Sequence, residues 1–355
     1  MARPFISVLI DTYNHERFIE QAILSVLEQD VAEGEREIIV VDDGSTDRTP
    51  EIVRRFEPGV RLLRKANGGQ ASAFNAGIPE CKGEIIALLD GDDRWASGKL
   101  RRVADTLRRD SAIGLVGHAI HEVFPDRRQR TAAPEKDERL RLNSVAAAKV
   151  FRLRKSYLGT SRMTLRAELA RRILPVPQEL VIEADEYLFT MAAAMSEIVI
   201  LREALTFYCI HGGNLYVSAG GGKAGLRRKQ QVLAALAKSL RSALTGEGVA
   251  PDVTECVIEL VAVEADHLRL MLDGGAPWDT VRTETKVYEI MHGDAAKWQR
   301  LFRAATMIPA MFLPPRWFYA GREWLGKRKW YRRAREQALP MPKITRVAGS
   351  DEFKA

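Results

Sequence analysis

The apolar run Ile85-Ile86-Ala87-Leu88-Leu89 ends abruptly in Asp90-Gly91-Asp92-Asp93, and this junction constrains the fold more than any other stretch of the chain. A short, uninterrupted apolar run that opens on β-branched residues reads as a strand buried on both faces, the condition of strands in parallel sheets covered by helices. Ligands of such sheets bind beyond the carboxyl ends of the strands. Carboxylates this crowded repel one another unless a cation offsets them, and a divalent metal carrying a phosphate is the expected cation. Asp-Gly is also a common pair in plain surface turns, so the segments around the junction decide between turn and site.

Those segments repeat the same design. Residues 5–10, 38–41 and 60–63 have the composition of strands, while 16–29 (Phe18, Ile19, Ala22, Ile23, Val26 and Leu27 at helical spacing), 49–56 and 70–77 have that of helices. Strands alternating with helices predict an α/β fold with a Rossmann-like, mostly parallel sheet. From Leu115 the pattern becomes mixed, and the charged stretch 126–141 predicts a mobile surface loop able to order over a ligand. Residues 226–244 and 253–272 carry apolar stripes of amphipathic helices, with Gly220-Gly221-Gly222 as a natural hinge ahead of them. At 355 residues the chain exceeds one core, and the expected divisions are 1–219 (halves 1–110 and 111–219), a helical region 223–306 and a tail 307–355.

Composition excludes several classes. With 46% hydrophobic and 28% charged residues the chain is globular rather than disordered. Cys81, Cys209 and Cys256 are too scattered for a disulfide framework or a CxxC metal site, which predicts a reducing, cytoplasmic setting. No secretory leader and no uninterrupted apolar run of spanning length are apparent. The formal net charge of +7 resides in residues 316–335, which hold eight Lys/Arg against Glu323 alone, so a chain-wide field for nucleic acid is not expected.

If the sheet is parallel, Asp11-Thr12-Tyr13-Asn14, Asp42-Asp43-Gly44-Ser45-Thr46-Asp47 and Asp90-Gly91-Asp92-Asp93 share one edge. Each alone could be a turn or a cap, and Ser45 or Asp47 suits the N-cap of the helix that follows. Together they suit a sugar nucleotide: Asp42 or Asp43 accepting from a pyrimidine N3–H, Tyr13 against the base, and the last cluster reaching ribose and metal. Such oxygen-rich sites favour Mg²⁺ or Mn²⁺.

These residues, with Asn67-Gly68-Gly69-Gln70-Ala71-Ser72-Ala73-Phe74-Asn75-Ala76-Gly77, resemble in order and spacing the successive motifs of family 2 glycosyltransferases. The resemblance covers the first hundred residues. It implies the GT-A fold, a nucleotide-diphosphate sugar donor and inversion at the anomeric carbon. It also implies the base at Tyr13 and Asp43, ribose or metal at Asp92, metal at Asp93 and a supporting Asp90, with Thr12, Asn14, Asp42, Asn67, Gly68, Gly69 and Asn75 in the donor motifs. Residues 182–188 are similar to the family's Glu-Asp element, which places the catalytic base at Asp185, with Glu183 and Glu186 as alternatives. Residues 205–214 are similar to a Tyr-Arg-x-His-x-x-Asn element, implying that His211 contacts diphosphate or metal and that Asn214 shapes the same loop. Three departures stand out: Asp11 where proline is common, Ala184 where glutamate is common, and Cys209 in place of arginine.

Inversion needs a base facing the side opposite the leaving diphosphate, and no covalent intermediate. The expected reaction is therefore a metal-assisted direct displacement by a hydroxyl of a glycan or lipid-linked acceptor, moving a hexosyl or N-acetylhexosaminyl group. The rival readings are a binding protein that keeps the fold without turnover, and a nucleotidyltransferase, whose glycine- and arginine-rich triphosphate loop is absent near the N-terminus. In the tail, Trp317, Phe318, Tyr319, Trp324, Trp330 and Tyr331 interleave with the eight cations, a composition suited to an anionic membrane surface on the cytoplasmic side.

Overall fold

The structure, a computed structural model, describes residues 6–211, 222–292, 297–326, 328 and 345–347. Asn214, Gly220-Gly221, Trp330 and Tyr331 lie outside these residues.

The first strand, β1 (Ile6–Thr12), is followed by α1 (Ile19–Leu27), β2 (Arg36–Asp42), α2 (Thr49–Arg54), β3 (Arg61–Arg64), α3 (Gln70–Gly77) and β4 (Ile85–Asp90). Next come β5 (Arg94–Trp95), α4 (Lys99–Arg109), β6 (Ile113–Val123), β7 (Gln129–Ala133), β8 (Glu138–Leu140), α5 (Val145–Arg152), β9 (Thr164–Arg166), α6 (Ala167–Ile173), α7 (Ala184–Met195) and β10 (Glu197–Cys209). Helices α8 (Gly222–Gly246), α9 (Pro251–Asp273), α10 (Pro277–His292), α11 (Lys297–Phe312) and α12 (Pro315–Gly326) precede a short β11 (Thr345–Val347).

The sheet has the parallel core that the apolar runs predict. β1 pairs in parallel with β2 and β4, and β2 with β3, so that β1 and β4 are buried on both faces. Beyond β4 the sheet turns antiparallel through β9 and β7, although β10 and β6 run parallel to each other. Residues 126–141 are not the loop that their charge suggested. They contain β7 and β8, which pair with β6 and β10, so that within these two strands the backbone groups are satisfied by neighbouring strands while most of the charged side chains stay exposed.

α1 starts later than its periodicity implied. The backbone N–H groups of Asn14, His15 and Glu16 donate to Ser45 Oγ, Thr49 Oγ1 and Asp47 Oδ2, which binds this segment to the loop after β2 instead of winding it into helix. Ser45 therefore faces Asn14, while Asp47 also accepts from Thr49 N at the start of α2.

Two compact units are present, one comprising residues 1–217, 239–257 and 345–355, the other 218–238 and 258–344. In the second, Leu270, Met307, Ala310, Phe318 and Tyr319 form a small core, and buried Glu284 pairs with His267 (3.2 Å) and Arg322 (2.5 Å). Among the described residues no helix is long and apolar enough to cross a membrane.

Candidate active site

Parallel pairing puts the ends of β1, β2 and β4 on one edge, with Thr12 opposite Asp42 and Asp11 opposite Asp90. Asp11 and Asp90 are thus neighbours, and Asp92 and Asp93 follow directly. Burial, reinforced by the charge of Asp92, raises the Asp11 carboxyl well above the ordinary range. Burial and the neighbouring Asp11 do the same to Asp90. Asp93, only 1% exposed, is pushed up to about 7 by burial and by Asp92. Asp11 Oδ1 has no hydrogen-bond partner among the described residues.

Asp92 behaves oppositely. Burial would raise it, but the hydrogen bond from His211 and the nearness of His15 outweigh burial and hold it below the ordinary range. His211 Nε2 lies 3.0 Å and His15 Nε2 3.9 Å from Asp92 Oδ2. The His211 ring stacks on Phe18 at 4.4 Å between centroids, and His15 is hydrogen-bonded to Thr12 Oγ1 at 3.2 Å. Gly91 makes this approach possible, since a Cβ there would come within 2.6 Å of Thr12 Oγ1.

Mg²⁺ and Mn²⁺ are usually held by one or two protein groups together with substrate phosphates and water, not by all-protein cages. Among the described residues no group of three or more His, Cys, Asp or Glu side chains is arranged to hold a metal. The Asp92–His211 pair fits the shared mode, offering one carboxylate and one imidazole. Asp93 Oδ1 accepts from Cys209 N at 2.9 Å, bracing the end of β10.

On the nucleotide side, Asp42 is fully buried; its Oδ1 accepts from Ser45 N, and Arg64 Nε lies 3.2 Å from its other oxygen, so it braces its own loop. Asp43 gathers Gly68 N (3.0 Å), Gly69 N (2.7 Å) and Lys65 Nζ (2.5 Å). Tyr13 is 41% exposed, and Asn67 is exposed as well. Asn14, at φ 56°, accepts from Thr46 N and ties the first two strand ends together. Asn75 clamps Val176, donating to its carbonyl and accepting from its N–H, each at 2.8 Å.

Asp185 opens α7. Its Oδ2 accepts from Thr160 N (3.1 Å) and Thr160 Oγ1 (3.3 Å), its Oδ1 from Glu186 N (2.9 Å). The charge of Asp185 acts on both Asp11 and Asp90, so it belongs to the same cluster. Of the alternatives, Glu186 is ion-paired with Lys155, and Glu183 holds the left-handed residue ahead of the helix at φ 61°.

Sequence reading missed His15, Thr160, Ser161 and Gln70. Buried Ser161 both donates to Asp90 Oδ2 and accepts from Asp90 N, and its carbonyl receives Trp95 Nε1, Thr206 Oγ1 and Lys99 Nζ at 3.0, 2.8 and 3.2 Å. The Thr160–Arg162 turn is thus fixed under both Asp90 and Asp185. No local pattern marks it. His15 and Gln70 had a local signal, His15 as a titratable residue directly after Asn14 in the first strand-end motif and Gln70 as part of the Asn67–Gly77 motif.

A family model described as glycosyl transferase family 2 matches residues 7–173. An uncharacterized glycosyltransferase, alr2836, of Nostoc sp. is 30% identical over 233 residues, spanning 64% of this chain and 71% of its own length. The fold is similar to that of S. aureus TarS (residues 1–349) in complex with UDP-GlcNAc, with a TM-score of 0.55 and 19% identity over 86% of this chain and 81% of that one. It is also similar to the mannosyltransferase PcManGT of Pyrobaculum calidifontis in complex with GDP-Man and Mn²⁺, with a TM-score of 0.53 and 22% identity over 95% and 85% of the two chains. Motifs, fold and relatives agree, and the chain belongs to glycosyl transferase family 2.

Proposed function

We propose that the protein inverts the anomeric centre while moving a hexosyl or N-acetylhexosaminyl group from a UDP-sugar to a hydroxyl of a glycan or lipid-linked acceptor. The observation that carries this reading is one cluster in which Asp92 meets His211 while Asp185 is held within electrostatic reach of the same carboxylates. Residues 1–110 would supply the donor half and 111–219 the acceptor half. Tyr13 and Asp43 would receive the base, with Thr12, Asn67, Gly68 and Gly69 shaping the pocket and Asp90 supporting it from below.

Asp92 and His211 would hold Mn²⁺ or Mg²⁺, which when bound offsets charge on the departing diphosphate. Asp185 takes the acceptor hydroxyl's proton as the oxygen attacks. Two donors on Oδ2 fix its orientation, while the ion pair with Lys155 occupies Glu186. The complexes of TarS with UDP-GlcNAc and of PcManGT with GDP-Man and Mn²⁺ support a nucleotide sugar and a metal on this fold. The test is hydrolysis of UDP-sugars with Mn²⁺, with and without Asp185→Asn. Tight Mn²⁺-dependent UDP binding with no sugar release, or transfer to any acceptor, would favour the non-catalytic binding protein.

The acceptor reading draws on the second unit. At the end of α11 and along α12, Ile308, Met311, Phe312, Leu313, Trp317 and Trp324 are exposed, Trp317 at 73%. Arg316 is exposed beside them, and Arg328 lies 4.5 Å from the Trp324 ring centroid. Aromatic and aliphatic side chains mixed with arginine suit the headgroup layer of an anionic leaflet. This supports peripheral attachment at the inner face of the cell membrane.

A further inference from the structure

Gln70 is the first residue of α3 and directly follows the two glycines whose N–H groups hold Asp43. Its side chain leaves that loop and spans two other elements. Oε1 accepts from Ala184 N, the first residue of α7, at 3.0 Å, and Nε2 donates to Thr160 Oγ1 at 3.0 Å. The amide orientation follows from chemistry, because a backbone N–H can only donate and the atom facing Ala184 must be the oxygen. That leaves the NH₂ toward Thr160. The Thr160 hydroxyl, accepting from Gln70, sends its single proton to Asp185 Oδ2.

We infer that Gln70 and Thr160 are positioning residues for the base, aligning Asp185 through an amide–hydroxyl–carboxylate relay that starts in the nucleotide-binding loop. This rests on Asp185 being the base. The backbone reinforces the bridge: Gln70 N and Ala71 N donate to Val181 O and Leu180 O, at 3.0 and 3.2 Å, tying the approach to α7 to the start of α3. Residues 68–70 therefore touch Asp43 with two N–H groups and the Asp185 segment with one side chain. Thr160 is 1% exposed, so water does not stand in readily for the missing partner. A carboxylate that loses one of its fixed donors samples orientations unsuited to proton transfer, which lowers turnover without loosening the donor.

The experiment compares Gln70→Leu, Gln70→Glu, Thr160→Val, Thr160→Ser and Asp185→Asn in the full chain. Three readouts are taken: kcat and KM for whichever of UDP-glucose, UDP-galactose and UDP-N-acetylglucosamine the unmodified chain hydrolyses fastest with Mn²⁺, UDP–Mn²⁺ binding by calorimetry, and Tm. Gln70→Leu and Thr160→Val are expected to lower kcat by roughly 10- to 100-fold while KM and UDP binding move by less than about 3-fold. Thr160→Ser restores kcat. Gln70→Glu keeps the shape and the Ala184 contact but turns the threonine proton away from Asp185, so it loses kcat like Gln70→Leu even if the leucine variant fails to fold. Unchanged kcat in Gln70→Glu and Thr160→Val, or a parallel collapse of UDP binding, overturns the inference. If Asp185→Asn is inactive while those variants are unaffected, the base stands and the relay falls; if Asp185→Asn keeps full turnover, both fall.

Discussion

Asp92 Oδ2 and His211 Nε2 lie 3.0 Å apart although 119 residues separate them, because β10 returns its end to the tip of β4. The carboxylate is held ionised by that imidazole and by His15. Removing the imidazole takes away one of two protein donors suited to the metal. His211→Ala should raise the Mn²⁺ concentration for half-maximal UDP-sugar hydrolysis by about tenfold or more. A Mn²⁺ titration that superimposes on that of the unmodified chain would remove His211 from the metal site.

Asp185→Asn should cost roughly 10²- to 10⁴-fold in kcat while leaving UDP affinity within a few-fold, as expected for loss of a general base. Glu186→Gln, which breaks only the pair with Lys155, should keep most of the turnover. The reverse ranking would move the base to Glu186.

The Asp93 carboxyl ordinarily titrates near 3.8 and is pushed to about 7 in the folded chain. Between those values the native state keeps a proton that the unfolded chain has released. Stability therefore falls as pH rises through this window and levels off above it. Asp11 and Asp90 act in the same sense, whereas the depressed Asp92 adds stability that is lost only as pH falls below the usual carboxylate range. In EDTA, Asp93→Asn should be more stable than the unmodified chain at pH 8, by the order of 1–4 kcal/mol and with a higher Tm, and the two should converge near pH 4. Parallel Tm curves across this range would contradict the assignment.

Gly69 has φ +81°, and a Cβ there would lie 2.5 Å from Val181 Cα, a backbone atom that cannot step aside. Gly69→Ala should destabilise the chain by about 2–4 kcal/mol, combining left-handed strain with a steric clash. Urea denaturation checks this. It should also weaken UDP binding, since Gly69 N donates to Asp43.

β11 pairs with β7 in the first unit, so truncating the tail would remove a strand as well as any membrane contact. Point substitutions are cleaner. Trp317→Ala combined with Trp324→Ala should lower binding to vesicles containing phosphatidylglycerol by about tenfold or more, with UDP-sugar hydrolysis unchanged. Equal vesicle binding would sink the membrane reading.

Local pattern determined a great deal here. The run ending in Asp90-Gly91-Asp92-Asp93 specified a buried strand with a chemical tip, and two similar runs specified its parallel neighbours, because burial on both faces leaves an apolar signature that any single segment carries. The helices α8 and α9 were equally legible from their stripes. What the tertiary structure decided is which polar atoms meet. Polar side chains have no period, and their partners come from crossings tens of residues apart: His211 with Asp92, Thr160 with Asp185, Gln70 with both Thr160 and Ala184. The same crossings drew two strands, β7 and β8, out of the charged stretch 126–141, since a backbone hydrogen bond depends on the neighbouring strand and not on the side chain above it. The acidic tip of β4 was written in the sequence; the different proton affinities of Asp90, Asp92 and Asp93 arise only from burial and neighbours that the fold brings together.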